Sequence, residues 1–183
     1  GLWFLSILNV ATVEAQKKTI RWVEGKPLKW KNFKGTADGS SKYAALTASG
    51  IYYSFQTNKD GELIFIIESH FDPGNSWVKK DKKKASLLEH EQRHFDITEL
   101  YARRLKKDIS RRNFKYSKSL QKKLNKLYQT WVKRLNSAQK SYDKESNHHL
   151  NKEGQKTWNK RVEFELNELR DFTHSRIVKK LIM

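Results

Sequence analysis

The second half of this sequence has the composition of a set of helices. After Trp77 there is no proline, and Gly154 is the only glycine. Apolar residues recur there at intervals of three and four, which is the period of an α-helix with one buried face. We therefore predict three long helices, over about 81–112, 117–145 and 151–180.

The first part of the chain has short segments with a period of two, as in β-strands that are buried on one face. Asp60-Gly61 lies between two such segments, and this dipeptide favours the tight turn of a β-hairpin. Strands are predicted at about 19–23, 28–33, 45–56 and 62–71. The pattern predicts an α+β fold in one domain of about 16–183, with an N-terminal antiparallel sheet (about 17–72) followed by three long helices in a helical half (about 81–180).

The N-terminus carries an apolar stretch, residues 2–11, which is too short to span a bilayer. Val13 and Ala15 follow it with the small-x-small spacing of a signal-peptide cleavage site. We expect residues 1–15 to be the remnant of a secretory signal, and the protein to be secreted or to lie in the periplasm or cell envelope. A first strand or an amphipathic helix is the alternative for this stretch, and no transmembrane span is expected.

Two features of the composition limit the possible functions. There is no cysteine, so thiolate metal sites and cysteine nucleophiles are excluded, and any metal must be bound by His, Asp or Glu. The formal net charge of +18 suits an anionic partner, although a solvated, repulsive surface is the other explanation. Because no aromatic-basic recognition motif accompanies the charge, we expect no sequence-specific nucleic-acid binding.

His90, Glu91 and His94 form an H-E-x-x-H motif within the first predicted helix. Residues four apart on a helix differ by about 40° of rotation and about 6 Å of rise, so both imidazoles can reach one ion. Glu91 lies on the flank, where it can take a proton from water without being a ligand. We predict that His90 and His94 bind Zn²⁺ and that Glu91 is the catalytic general base. The alternative is a pair of ordinary surface histidines beside a carboxylate.

A catalytic zinc site needs a third protein ligand, and it must come from outside this motif. The metzincin extension is excluded because Ile97 and Leu100 stand where it has glycine and histidine. Glu99 falls on the far side of the helix, and Asp108 lies about 20 Å along its axis from the second histidine.

The predicted break before the last helix offers the best candidates for the third ligand, because a loop there can direct a side chain inward. We favour His148, with His149 as the alternative ligand and Asp143 and Glu145 as further candidates. Among the other histidines, His70 ends a predicted strand, where it is structural or faces substrate, and His174 lies within the last predicted helix.

Two more residues have possible supporting roles. Tyr142 is a possible transition-state stabiliser because its hydroxyl can donate to an oxyanion. The alternative is a purely structural role, as an aromatic side chain packed between helices. Asp96 could support a ligand histidine from behind, but helix geometry turns it away from both histidines of the motif.

At these positions the sequence resembles bacterial domain-of-unknown-function family 922, which is grouped with the zincin-like peptidases. The resemblance spans most of the chain and rests on Trp30-x-x-Phe33-Lys34-Gly35, Ser76-Trp77-Val78, Leu87-Leu88-x-His90-Glu91-Gln92-x-His94-Phe95-Asp96 with Ala102-Arg103, Tyr142-Asp143-x-Glu145-Ser146-x-His148 and Gln155-x-x-Trp158. It implies a zincin-like fold, a secreted or envelope location and inferred peptidase activity. It also supports His148 as a ligand, although His149 stands where the family usually has glycine.

Two functional hypotheses follow. The first is a zinc-dependent hydrolase, specifically a metallopeptidase, that acts on a peptide or protein substrate. The second is a basic, envelope-associated protein that binds anionic polymers and contains structural zinc or none. The two are compatible if the cationic surface delivers an enzyme to its substrate.

Overall fold

The computed structural model describes residues 19–182. The predicted signal remnant, residues 1–15, lies outside the described residues. Three helices follow a group of strands, so the predicted α+β class is confirmed. The strands are β1 (Ile20–Arg21), β2 (Ala45–Leu46), β3 (Ser49–Thr57), β4 (Glu62–Phe71), β5 (Trp77–Val78), β6 (Phe114–Lys115) and β7 (Arg176–Ile182), and the helices are α1 (Ala85–Arg111), α2 (Leu120–Ser146) and α3 (Lys152–Glu168).

The β3–β4 hairpin forms the centre of the main sheet and confirms the predicted turn. The strands pair antiparallel from Thr57 opposite Leu63 to Ser49 opposite Phe71. Gly61 has a positive φ of 72°, a conformation that glycine adopts without a steric penalty. Alternate residues of β4 are buried, so this strand presents one continuous face to the core.

Helix α1 packs on that face and forms the core with it. Ile97, Leu105 and Ile109 of the helix are fully buried, and so are Phe65 and Ile67 of the strand. Helices α2 and α3 pack on α1 and complete the same cluster with Leu124, Leu135, Tyr142, Trp158 and Val162. Each fully buried side chain of this kind contributes roughly 1.5–3 kcal/mol of transfer free energy.

A second, smaller cluster lies at the other end of β4. It includes residues from the predicted strand 28–33, and that prediction is wrong. Residues 28–33 do not form a strand; they contain a short 3₁₀ helix at Trp30–Asn32. The Trp30 and Phe33 rings pack edge to face with centroids 5.0 Å apart, and the Phe33 and Phe71 rings do so at 5.1 Å. Trp30 and Phe33 are three residues apart, so one 3₁₀ turn brings their rings together. This contact favours the turn over the strand that the alternating pattern predicts.

The C-terminal segment differs from the prediction. Helix α3 ends at Glu168 instead of about 180, and β7 returns to the sheet, where it pairs antiparallel with β4 and parallel with β6. The sheet is therefore neither wholly N-terminal nor wholly antiparallel. Ile177, Val178 and Ile182 give this segment a β-branched composition that favours a strand. His174 lies in the exposed loop before β7.

The helices are amphipathic, with charged outer faces. Along α2 the buried residues are Leu124, Leu135, Tyr142 and Ser146 only. Within residues 19–182, no helix combines the length and the apolar character that crossing a bilayer requires.

The junction of α2 and α3 depends on Gly154. The Asn151 side chain caps α3 by accepting a hydrogen bond from the Gly154 amide at 3.2 Å. A Cβ atom at position 154 would overlap the backbone carbonyl of Glu145, the second-last residue of α2. Glycine therefore lets the two helices approach closely.

We expect Gly154→Ala to lower the free energy of unfolding by about 1–3 kcal/mol, because one of the two helix ends must move. The matched control is Gly50→Ala, since no atom lies within 4 Å of a Cβ placed at that exposed position of β3. Urea denaturation followed by circular dichroism measures both. A loss as large for Gly50→Ala as for Gly154→Ala would contradict the steric argument.

Candidate metal centre

The two histidines of the motif lie on the face of α1 that meets α2. Leu87, Phe95 and Ile97 anchor the same stretch of helix in the core and fix its rotation. The His90 side chain is 3% exposed and that of His94 is 13% exposed. Their Nε2 atoms are 3.2 Å apart, so the one-turn spacing brings them together as predicted.

Asp143, on the last turn of α2, completes the cluster. Its Oδ1 atom is 3.2 Å from His90 Nε2 and 3.0 Å from His94 Nε2. His148 lies just beyond the end of α2, with its Nδ1 atom 3.3 Å from the same oxygen. The possible ligand atoms of His90, Asp143 and His148 all lie within 4.8 Å of one another, so these residues could hold a metal ion.

The separations fit the coordination shell of a small divalent ion. Zinc binds histidine nitrogen and carboxylate oxygen at about 2.0–2.2 Å, and in a tetrahedral shell neighbouring ligand atoms are then about 3.3–3.5 Å apart. Four of the measured separations, at 3.0–3.3 Å, are within a few tenths of an ångström of that edge length, and His90, Asp143 and His148 form the group whose ligand atoms all lie within 4.8 Å of one another. The residues present therefore fit a metal ion.

Hydrogen bonds to two glutamines define which ring nitrogen of each histidine carries a proton. Gln139 donates from Nε2 to the His94 backbone carbonyl at 2.9 Å, so its Oε1 faces His94 Nδ1 at 2.6 Å. That Nδ1 must donate, and the neutral ring then has its lone pair on Nε2.

The same reasoning applies to His90 through a longer chain of bonds. Arg93 can only donate, so the Asn159 atom it contacts at 2.9 Å is the oxygen. Gln155 therefore donates to Asn159, and its own Oε1 accepts from His90 Nδ1 at 3.1 Å. Both Nε2 lone pairs thus point toward Asp143, an arrangement of electron-pair donors that attracts a cation.

The pKa shifts of Asp143 and His94 also favour a positive charge beside the Asp143 carboxylate. Burial opposes ionisation of Asp143, but hydrogen bonds from His90 and His94 outweigh it and hold the pKa of the carboxyl well below its usual range. Burial also opposes protonation of His94, yet the hydrogen bond to Asp143 and the charge of Glu91 raise its pKa. The carboxylate therefore stays ionised, and His94 favours a proton on Nε2, which a bound cation would displace.

Glu91 is buried next to the histidines and is held by one hydroxyl. Thr47, between β2 and β3, donates to Glu91 Oε2 at 2.6 Å. Arg93 pairs with Asp96 and Glu163, so Glu91 is not its ion-pair partner. The Thr47 hydroxyl therefore fixes the Glu91 carboxylate beside the motif histidines.

Tyr142 supports His90 from within the core. Its ring stacks on the His90 ring with centroids 4.6 Å apart, and its hydroxyl donates to Gln155 Oε1 at 2.8 Å. A hydroxyl has one proton, so this bond must break before Tyr142 could donate to a transition state. The arrangement favours a positioning role, and the stabiliser role stays a prediction.

The other candidate residues lie at various distances from the centre. His149 has its ring centroid 6.2 Å from that of His90, and its Nδ1 atom is buried without a partner among the described residues. Glu145 accepts from the Trp158 indole, and Asp96 accepts from the Trp22 indole. His70 bonds to Thr19 and Glu68 on the sheet, away from the cluster.

The backbone that carries the two late histidines is strained. Asn147, His148 and His149 all have positive φ, at 45°, 50° and 77°. For residues other than glycine this conformation costs on the order of 1 kcal/mol each, and it persists only where the surroundings impose it. Three such residues in a row beside a cluster of possible ligands indicate a functional constraint.

Sequence reasoning missed the central position of Asp143 and the roles of three supporting residues. Gln139 lies four residues before Asp143, so helical spacing already places both on one face of α2. Gln155 and Thr47 gave no comparable signal, because their contacts with α1 depend on the packing of distant segments.

We expect Gln139→Leu to weaken metal binding by about 10–100-fold, because His94 then loses the bond that orients its ring. Competition for zinc against a chromophoric chelator measures the affinity. Gln129→Leu, an exposed position on the same helix, is the matched control and should bind as the wild type does. Unchanged affinity in Gln139→Leu would show that the glutamine does not orient a ligand.

Comparison with known proteins gives one match. Residues 72–149 match the family described as "Bacterial protein of unknown function (DUF922)". The matched range contains Glu91 together with His90, His94, Asp143 and His148. No curated protein and no solved structure matches the chain. The match supports the resemblance to this family and assigns no activity.

Proposed function

We propose that the chain is a zinc-dependent hydrolase that cleaves peptide bonds, with Glu91 as the general base. The observation that carries the proposal is the contact of His90, His94 and Asp143, with possible ligand atoms 3.0–3.2 Å apart, beside a buried carboxylate that Thr47 holds in place. The H-E-x-x-H spacing and the resemblance to zincin-like peptidases support zinc and a peptide substrate.

His90, His94, Asp143 and His148 would hold the ion. Zinc bound there would act as a Lewis acid and lower the pKa of a water molecule. Catalytic zinc sites have three protein ligands and keep one position open, so three of these four residues would bind the ion; His90, Asp143 and His148 are the three whose ligand atoms all lie within 4.8 Å of one another. His148 has the most exposed side chain of the four, at 42%, and lies on the segment with positive φ, so it would be the weakest ligand of the set.

Glu91 moves the proton during hydrolysis. Its carboxylate accepts a proton from the attacking water while the water oxygen forms a bond to the peptide carbonyl carbon. The carbon–nitrogen bond then breaks, and the same proton passes from Glu91 to the leaving amine. The Thr47 hydroxyl keeps one carboxylate oxygen engaged, so the other is oriented for this transfer.

The expected secreted or periplasmic location is part of this proposal and is supported by the apolar stretch and cleavage-like spacing of residues 1–15. The competing hypothesis, a basic binding protein with structural zinc or none, makes a different prediction for Glu91. In that case the carboxylate has no chemical role.

We expect Glu91→Gln to bind zinc with wild-type affinity and to lose at least about a hundredfold in peptide cleavage, because the amide cannot accept the proton. Cleavage is measured by mass spectrometry on a mixed peptide library. Glu89→Gln makes the same chemical change at an exposed position two residues earlier and should cleave normally. Equal cleavage by wild type and Glu91→Gln would falsify the general-base role.

We expect Asp143→Asn to weaken zinc binding more than His148→Gln does. Asp143 is on a helix and contacts all three histidine nitrogens, whereas His148 is exposed on a strained loop. Chelator competition measures both variants, and cobalt substitution reports the coordination number through the visible spectrum. A larger loss in His148→Gln would show instead that Asp143 is the weaker ligand.

A further inference from the structure

Each helix carries an aromatic residue followed three positions later by an arginine that stacks on its ring. The guanidinium carbon of Arg104 lies 4.7 Å from the Tyr101 ring centroid, that of Arg134 lies 4.6 Å from Trp131, and that of Arg161 lies 5.0 Å from Trp158. A guanidinium on a ring face keeps its N–H groups free at the edge for a planar anion.

The three arginines line one groove between the helices. It has a volume of about 540 Å³. Tyr101 and Ala138 are the partly exposed apolar residues of its lining, and the buried side chains Ile97, Leu100, Trp158 and Val162 form its floor. We call it the three-helix groove. It lies apart from the candidate ligands, although Trp158 packs on Tyr142 at 5.4 Å and Tyr142 stacks on His90.

The three-helix groove has an excess of positive charge. Four cations line it, the three arginines and Lys133, together with two carboxylates. Glu165 pairs with Arg104 and with Arg161, and Glu145 accepts from Trp158. Within residues 19–182, Lys133 and Arg134 form no ion pair. Burial opposes ionisation of Asp108, but its pKa is lowered, in part by the charge of Arg134 from beyond ion-pair distance. The Asp108 carboxylate accepts its hydrogen bonds from Arg112 and Trp131 instead.

We propose that the three-helix groove binds an acidic segment of a polypeptide, with carboxylates at Lys133 and Arg134 and apolar side chains between them. Glu165 shows the chemistry within the groove, since its carboxylate is already shared by two arginines. A carboxylate matches the fork of a guanidinium in size and geometry.

Two observations favour a polypeptide over a nucleic acid. Single-stranded nucleic acids bind by stacking bases on open aromatic faces, but here each ring carries a guanidinium and Trp158 is buried. The partly exposed apolar surface of Tyr101 and Ala138 also suits side chains of a peptide, whereas a phosphodiester backbone would make no use of it.

The test uses the full-length protein and a fluorescein-labelled peptide of alternating Glu and Leu, followed by fluorescence anisotropy. A peptide with Gln in place of Glu is the ligand control. EDTA is present throughout, so binding is measured independently of the metal centre and of any hydrolysis. We expect saturable binding of the acidic peptide that weakens as salt increases, and no saturable binding of the Gln peptide.

The variant Lys133→Gln/Arg134→Gln should lose about tenfold or more in affinity, since two charge-assisted bonds are removed. The matched control is Lys122→Gln/Lys126→Gln, which removes the same charge from exposed positions of α2 outside the groove and should change affinity less than about threefold. Circular dichroism checks folding, which these exposed changes should leave intact.

Three results would overturn the proposal. Equal losses in the two double variants would show a diffuse charge effect, and equal binding of the Gln peptide would show that carboxylates are not recognised. Tighter binding of a single-stranded oligonucleotide, lost in the same groove variant, would assign the groove to nucleic acid instead. Failure of zinc binding or cleavage elsewhere would leave this measurement unaffected.

Discussion

The buried polar residues of α1 determine how the structure is assembled, because each of them must find a partner. An unpaired buried polar group costs about 1–3 kcal/mol, and a charged one costs more. Asp96 accepts from the Trp22 indole, and Glu99 accepts from the Ser69 hydroxyl and from Arg103. These bonds connect α1 to the segment after β1 and to β4. A rotation or shift of the helix would break several of them at once.

The geometry of the metal centre follows from the same constraint. Arg93 is buried and donates to Asn159, which accepts from Gln155, and Gln155 in turn accepts from His90. This one buried arginine therefore sets the tautomer of His90, three residues earlier on the same helix. The bond from the Thr47 hydroxyl fixes the orientation of the Glu91 carboxylate from the side of the sheet. Arg93, Asn159, Gln155 and Thr47 therefore position the site residues of α1, whereas His148 lies on the loop after α2.

Features that depend on neighbours in sequence could be predicted, and features that depend on distant pairing could not. The facing of His90 and His94 follows from helical spacing alone, and the β3–β4 turn follows from Asp60-Gly61. By contrast, the β-branched residues of β7 favour a strand, but its pairing with β4 joins distant parts of the chain and no local pattern shows it. Asp143 was only one candidate among several, because nothing local shows that the last turn of α2 meets α1 at this point.

The position of the three-helix groove bears on how it would act with the metal centre. Trp158 and Tyr142 separate the two by a single packed aromatic layer, which is continuous with the core and fully buried at Tyr142. Allosteric coupling needs an element with two discrete arrangements, and the structure shows one arrangement of this layer. An acidic segment in the groove would therefore act as a tether. It would raise the local concentration of the rest of its chain near the centre without changing the chemistry there.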